Sequence, residues 1–301
     1  MIKLSLGPVL TYWSRETLFE FYQMVAQSAV DIVYLGETVC SRRHEMRLDD
    51  WLDVADLMAA SGKEAVLSTQ ALIESNSELG ALRKLVANGR FGVEANDVGA
   101  VHCLDGAPYV AGPHLNIYNP PALATYAGVG ARRWVMPLEL GRAQLLGILE
   151  QRPAGMETEV FAFGRMPLAF SARCFTARKL NLPKDDCRFS CLEHPDGLLL
   201  NTREGQPFLV LNGIQTQSAS VHNLVGELAD MQAIGVDVAR ISPQSSGTAD
   251  IIAAFDAARR GAIDAGEANC RIAPHLVGAE CDGYWFGEPG IALRGTAREA
   301  A

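Results

Sequence analysis

The sequence predicts an α/β chain: a single (β/α)8, TIM-barrel-like domain over residues 1–301, with a cysteine-bearing insertion at 164–218 after the seventh strand. Three observations point there. Short apolar runs alternate with longer segments of helical period, as in a parallel sheet covered by crossover helices. An eighth such unit returns after a long interruption. The interruption itself holds Pro167, Pro183, Pro195 and Pro207, which break the pattern between the seventh unit and the eighth.

The elements follow in order. Lys3 to Leu6 reads as the first strand, closed off by Gly7 and Pro8, and Arg15 to Gln27 as its helix, opening on Ser14, a good N-cap. Ile32 to Leu35 is the second strand, with Asp49 to Ala60 as its helix, and Ala65 to Ser68 the third, with Glu78 to Val86. Gly92 to Glu94, Tyr109 to Ala111 and Trp134 to Met136 are the fourth, fifth and sixth strands; Arg142 to Leu149 is a helix, and Glu159 to Phe163 is the seventh strand. Val238 to Ile241 and Ala249 to Ala262 complete the eighth unit. The segment Cys281 to Gly290, dense in glycine and in Tyr284, Trp285 and Phe286, is expected to cap the barrel or to contact a partner or apolar ligand.

Composition narrows the function. With 49% hydrophobic residues in 301, the chain can bury a large core. Lys and Arg number 26 against 35 Asp and Glu, and the net charge of -9 repels phosphate backbones; the Arg42-Arg43 pair is too short to offset it, so no nucleic-acid partner is expected. No segment approaches the roughly 20 apolar residues of a membrane span, and the N-terminus lacks the apolar core of a signal peptide, so a cytoplasmic location is expected. Seven cysteines, an odd count, argue against a disulfide framework.

Three of those cysteines, Cys174, Cys187 and Cys191, fall within eighteen residues of the insertion. Cys40 lies five residues past Leu35, so it belongs to the barrel face formed by the carboxyl ends of the strands, the face where functional sites sit. Four soft donors in a reducing compartment suit zinc or an iron-sulfur cluster. The spacing lacks the C-x2-C knuckles of zinc ribbons, which favours a cluster; zinc and inert buried thiols remain open readings. Were all four thiolates to bind, each iron would be coordinatively complete, and electron transfer or scaffolding would be the natural work. Arg173, Arg178 and Arg188 either offset thiolate charge or form a solvated basic face. Cys103, Cys270 and Cys281 read as ordinary small apolar residues.

Other chemistry has little support. The sequence has no G-x-S-x-G elbow, H-E-x-x-H, Walker A loop or G-x-G-x-x-G. Its six histidines (His44, His102, His114, His194, His222, His275) are scattered. Glu37, Asn96, Asp97, Asn116 and Glu139 stand at strand ends, where they cap loops or line a pocket at the barrel mouth.

Glu159-Val160-Phe161-Ala162-Phe163-Gly164, Ser171-Ala172-Arg173-Cys174, Cys187, Cys191 and Leu211-Asn212-Gly213-Ile214-Gln215-Thr216 resemble the collagenase-like peptidase family. So do Tyr34-Leu35-Gly36-Glu37-Thr38-Val39-Cys40 and Gly112-Pro113-His114-Leu115-Asn116, and the likeness covers nearly the whole chain. Many members carry a cysteine seven residues before the one matching Cys174. Here that position is Pro167, and Cys40 fills the vacancy, the pattern of a branch serving anaerobic ubiquinone biosynthesis. The resemblance implies a barrel-like fold and a [4Fe-4S] cluster on Cys40, Cys174, Cys187 and Cys191. It also implies a heterodimer with UbiU that supports O2-independent hydroxylation of ubiquinone precursors, with a hydroxylated metabolite such as prephenate as oxygen donor. Two other readings compete: a non-catalytic barrel with structural zinc acting as an assembly partner, and a peptidase, for which no nucleophile and base motif is recognisable.

Overall fold

A computed structural model describes residues 1–294. Its strands are β1 (Lys3–Leu6), β2 (Ile32–Leu35), β3 (Glu64–Ser68), β4 (Gly92–Ala95), β5 (Tyr109–Ala111), β6 (Ala131–Val135), β7 (Glu157–Phe170), β8 (Leu198–Asn201), β9 (Pro207–Asn212), β10 (Gln215–Asn223), β11 (Val238–Ile241) and β12 (Glu280–Cys281). Its helices are α1 (Arg15–Ala26), α2 (Leu48–Ala60), α3 (Asn76–Val86), α4 (Val98–Leu104), α5 (Pro120–Gly128), α6 (Arg142–Leu149), α7 (Phe175–Lys179), α8 (Leu228–Ala233), α9 (Thr248–Arg259) and α10 (Ala265–Ile272). Strands β1 to β7 pair in parallel in sequence order, and β11 lies between β7 and β1, closing an eight-stranded barrel. Both the (β/α)8 fold and the late eighth strand agree with the sequence.

Each barrel strand alternates between two buried environments. Leu4, Leu6, Val33, Leu35, Leu67, Val93, Val160 and Ile241 face outward and pack beneath the helices in the main core. Ile32, Tyr34, Val66, Val110, Val135 and Val238 form a separate inner cluster. Sharing that inward phase are Ser5, Glu94, Arg133, Glu159 and Arg240, all buried.

These inward charges form ion pairs with one another. Arg240 donates from Nε to Glu159 at 2.6 Å and pairs through Nη2 with Glu94 at 2.8 Å, while its guanidinium lies 3.9 Å over the Tyr34 ring. Glu159 also accepts from Ser5 Oγ at 2.6 Å and Tyr34 Oη at 2.5 Å. Burial alone would lift the Glu159 carboxyl, but Arg240 and Arg133 beside it hold it below its ordinary value. Below, Arg133 donates to Glu157 at 2.8 Å and to Tyr34 Oη at 3.2 Å.

The structure departs from the sequence reading in the insertion. The seventh strand does not stop at Phe163 but runs on to Phe170. Its second half pairs antiparallel with β10, and β10, β9 and β8 continue as a meander, so the segment extends the barrel's own sheet. Pro167 is tolerated because it pairs with Gln217, where the register shifts. The sixth strand begins at Ala131, earlier than expected. Near the chain end a single turn, Gly283–Phe286, sinks Trp285 into the main core, 2% exposed. Among the described residues no helix is long and apolar enough to cross a membrane.

Removing one member of the inner network leaves the rest charged and dry. Glu159→Ala is expected to lower the unfolding free energy by about 3–5 kcal/mol, measured by urea denaturation; a loss below about 1 kcal/mol would show that the barrel does not depend on it.

Candidate functional site

Four segments that are distant in sequence converge beyond the carboxyl ends of the strands. Immediately after β2, Gly36 adopts φ +132°, and a Cβ there would sit 2.6 Å from the Ser68 carbonyl oxygen, so only glycine fits. The chain then turns sharply. Glu37 Oε1 accepts from the backbone N–H groups of Val39 at 2.9 Å and Cys40 at 3.0 Å, which fixes the Cys40 backbone.

Cys174 caps the short helix α7, its Sγ accepting from the Ala177 N–H at 3.4 Å. The Phe175 N–H donates to the Gly213 carbonyl at 2.8 Å, and Thr176 Oγ1 accepts from the Gly213 N–H at 3.0 Å, tying the helix start to the β9–β10 turn. Between Cys187 and Cys191 the chain reverses through Arg188 (φ 51°) and Phe189 (φ 52°), successive left-handed residues without a glycine. Such conformations persist only where surrounding contacts enforce them. The Ser190 N–H donates back to the Cys187 carbonyl at 3.3 Å, keeping both cysteines on one side of the turn.

Cys40, Cys174, Cys187 and Cys191 line one small cavity, together with Arg43, Thr176, Ser190 and Gly213, and no carboxylate is among its lining residues. All four are free thiols; Cys40 is buried and the others half-buried. Burial pushes the Cys40 thiol up to about 11. Cys191 is raised for the same reason, opposed by Arg43 beside it. As the side chains stand, no group of three or more His, Cys, Asp or Glu among the described residues is arranged to hold a metal ion. The thiols thus surround a common space without closing on one point.

Arg43 is the buried cation of this site, with Arg42 also lining the cavity, and sequence reasoning weighed both only as a pair too short to make a basic patch. It is 5% exposed. Nη1 donates to the Leu10 carbonyl at 2.7 Å and Nη2 to Asn212 Oδ1 at 2.6 Å, so it joins the β1 loop to β9 beneath the cysteines. The signal was its place three residues after Cys40, where a turn carries it inward. Arg173, Arg178 and Arg188, the arginines expected to serve here, are exposed. Cys103, Cys270 and Cys281 lie away from the cavity's lining.

A second cavity, of about 310 Å³, opens at the barrel mouth. Arg240 and Glu94 line it, with Asn96, His114, Asn116 and Glu139. Asn96 Nδ2 donates to the Thr69 carbonyl at 3.1 Å and to Glu94 at 3.2 Å, whereas Asp97 caps α4 by accepting from the Gly99 N–H at 2.6 Å. Of the strand-end residues, then, Asn96, Asn116 and Glu139 reach the mouth pocket, Glu37 braces Cys40 and Asp97 is a cap. Leu10 and Phe170 line this pocket and pack in the same apolar group as Cys40 and Cys174, so the two cavities share a wall.

The histidines do not gather. His114 packs edge-on to Phe170 at 4.7 Å, and burial, with Arg240 nearby, pulls it down to about 4. His222 stacks on Phe161 and is likewise pulled down to about 4 by burial.

Arg43→Met leaves the Leu10 carbonyl and Asn212 Oδ1 without their charged donor. It is expected to cost about 2–4 kcal/mol of unfolding free energy and, because the cation that favours their thiolates is gone, to slow maleimide labelling of Cys40 and Cys191; unchanged stability and labelling would remove Arg43 from the site's framework.

The model of peptidase family U32 matches residues 18–277, a stretch that includes all four cavity cysteines. Among solved structures the chain is similar to the U32 peptidase Mk0906, at 14% identity and a TM-score of 0.46, covering 83% of this chain and 94% of that one. It is also similar to the spore cortex-lytic enzyme SleL of Bacillus megaterium QM B1551, at 9% identity and a TM-score of 0.40, covering 85% and 74%.

Proposed function

The chain belongs to peptidase family U32, and from that premise we propose that it is an iron-sulfur subunit of the UbiV type, required with UbiU for O2-independent hydroxylation of ubiquinone precursors. The observation that carries this reading is the convergence of Cys40, from the second barrel strand, with Cys174, Cys187 and Cys191, from the insertion, on one cavity free of carboxylates. A set of sulfur donors alone suits thiophilic metals and not magnesium or calcium.

The residues present fit a [4Fe-4S] cluster. Thiolates from four positions carry four negative charges, and the buried Arg43 supplies a fixed positive charge beside Cys40 and Cys191. Position 167, where other members place a cysteine, lines the mouth pocket and not the cysteine cavity, which supports Cys40 as the fourth donor. When bound, such a cluster supplies one-electron redox chemistry at a potential set by its surroundings. The protein's own part is to hold the four thiols with Arg43 and to present Leu10 and Phe170 as the wall toward the barrel mouth.

The peptidase reading requires a nucleophile activated by a base. His222 and Cys281 are register neighbours on β10 and β12. Both are buried, with the imidazole pulled down to about 4 and the thiol pushed up to about 12, which suits core packing better than nucleophilic catalysis.

Protein purified without oxygen is expected to carry about four irons and as many sulfides per chain, with broad visible absorption; stoichiometric zinc in their place would favour the assembly-barrel reading. Paired with UbiU, the Cys174→Ala chain is expected to lose anaerobic hydroxylation of ubiquinone precursors. Full hydroxylation by that variant would contradict the proposal.

A further inference from the structure

The mouth pocket has its own chemistry, separate from the cysteines. Its volume of about 310 Å³ is at the lower end of the roughly 300–1,000 Å³ typical of small-molecule sites. Leu10, Leu138, Phe161 and Phe170 give it apolar walls. Its floor carries Arg240, which is 4% exposed.

That guanidinium is already shared. Nε meets Glu159 and Nη2 meets Glu94, which leaves Nη1 as the nitrogen neither glutamate engages. Glu139 adds a further carboxylate at the rim, where it accepts from Tyr118 Oη at 3.2 Å. His114, pulled down to about 4, is neutral at physiological pH and adds no positive charge. Three carboxylates therefore stand around Arg240 in and beneath the pocket, and the other guanidinium near Glu159, that of Arg133, is paired with Glu64 and Glu157. An anionic ligand would have to share Arg240 with two buried glutamates, a burial of like charge, and pass the exposed carboxylate of Glu139 at the rim. A neutral oxygen accepts from Nη1 without that cost.

We propose that the barrel mouth binds an uncharged ring compound bearing a hydroxyl or carbonyl oxygen, seated on Arg240 Nη1 between the apolar walls, and discriminates against a carboxylate on the same ring. The inference goes beyond the cluster reading and does not require it. It assigns this chain the neutral aromatic ligand and places any carboxylate-bearing reactant elsewhere.

Phenol and benzoate share the ring and differ in charge at neutral pH, so they are the probes. Each is titrated against the full chain by saturation-transfer NMR. Saturable phenol binding is expected, with benzoate at least about tenfold weaker, roughly 1.4 kcal/mol. Leu138→Trp fills the pocket without touching the buried charges and is expected to weaken phenol about fivefold or more. Benzoate binding as tight as phenol, no saturable phenol binding, or phenol binding unchanged in Leu138→Trp would each overturn the proposal. Repeating the titration on iron-free protein separates this outcome from the cluster reading: phenol binding that survives iron loss leaves the pocket standing whatever the cysteines hold.

Discussion

Strand β7 is longer than the barrel it closes, and the rest of the molecule is arranged around that excess. Its first half pairs in parallel with β6 and β11, and its second half runs past the rim to pair antiparallel with β10. A strand carries a chain out of a barrel in a fixed direction, here because its ladder with β10 continues along the segment that leaves. The cysteine segment therefore starts from a fixed direction. Cys174 follows four residues after β7 ends, and the return strands β9 and β10 supply the Gly213 turn and Asn212 that anchor α7 and Arg43.

The barrel interior and the cysteine site are linked through this strand. Glu159, near the start of β7, holds Arg240 and Tyr34 within the barrel, and Phe170, at its end, packs with Cys40 and Cys174. Charge inside the barrel thus ends at the floor of the mouth pocket, and the thiols begin behind an apolar wall. Two different chemistries, ionic and thiophilic, are kept apart by one layer of Leu10, Val39, Ile214 and Phe170. Burial against this layer keeps the Cys40 thiol from ionising freely.

Much of this was legible in the sequence, and what was not has physical causes. The barrel strands announced themselves because their outward residues, such as Val33, Leu35 and Leu67, lie under helices and must be apolar. Cys40 was readable as a partner of the later cysteines because the end of β2 fixes which face it occupies. The second half of β7 was hidden by Gly164 and Pro167, punctuation that ordinarily ends a strand; here Gly164 takes φ +127° close to Ser242, and Pro167 sits at a register shift. Arg43 was hidden because a paired arginine reads as surface, and only the Glu37-braced turn carries it inward. The inward charges Glu94, Glu159 and Arg240 each appear singly in strands far apart, so their mutual neutralisation emerges only when the barrel closes.

The central claim is that one distant cysteine joins three local ones in a single ligand set. Seven single Cys→Ser variants, each purified without oxygen and assayed for iron per chain, test it most directly. The account predicts that Cys40, Cys174, Cys187 and Cys191 each prove necessary for iron retention, while serine at Cys103, Cys270 or Cys281 leaves it unchanged. Full iron retention in the Cys40→Ser chain, or iron loss on replacing Cys103, Cys270 or Cys281, would contradict it.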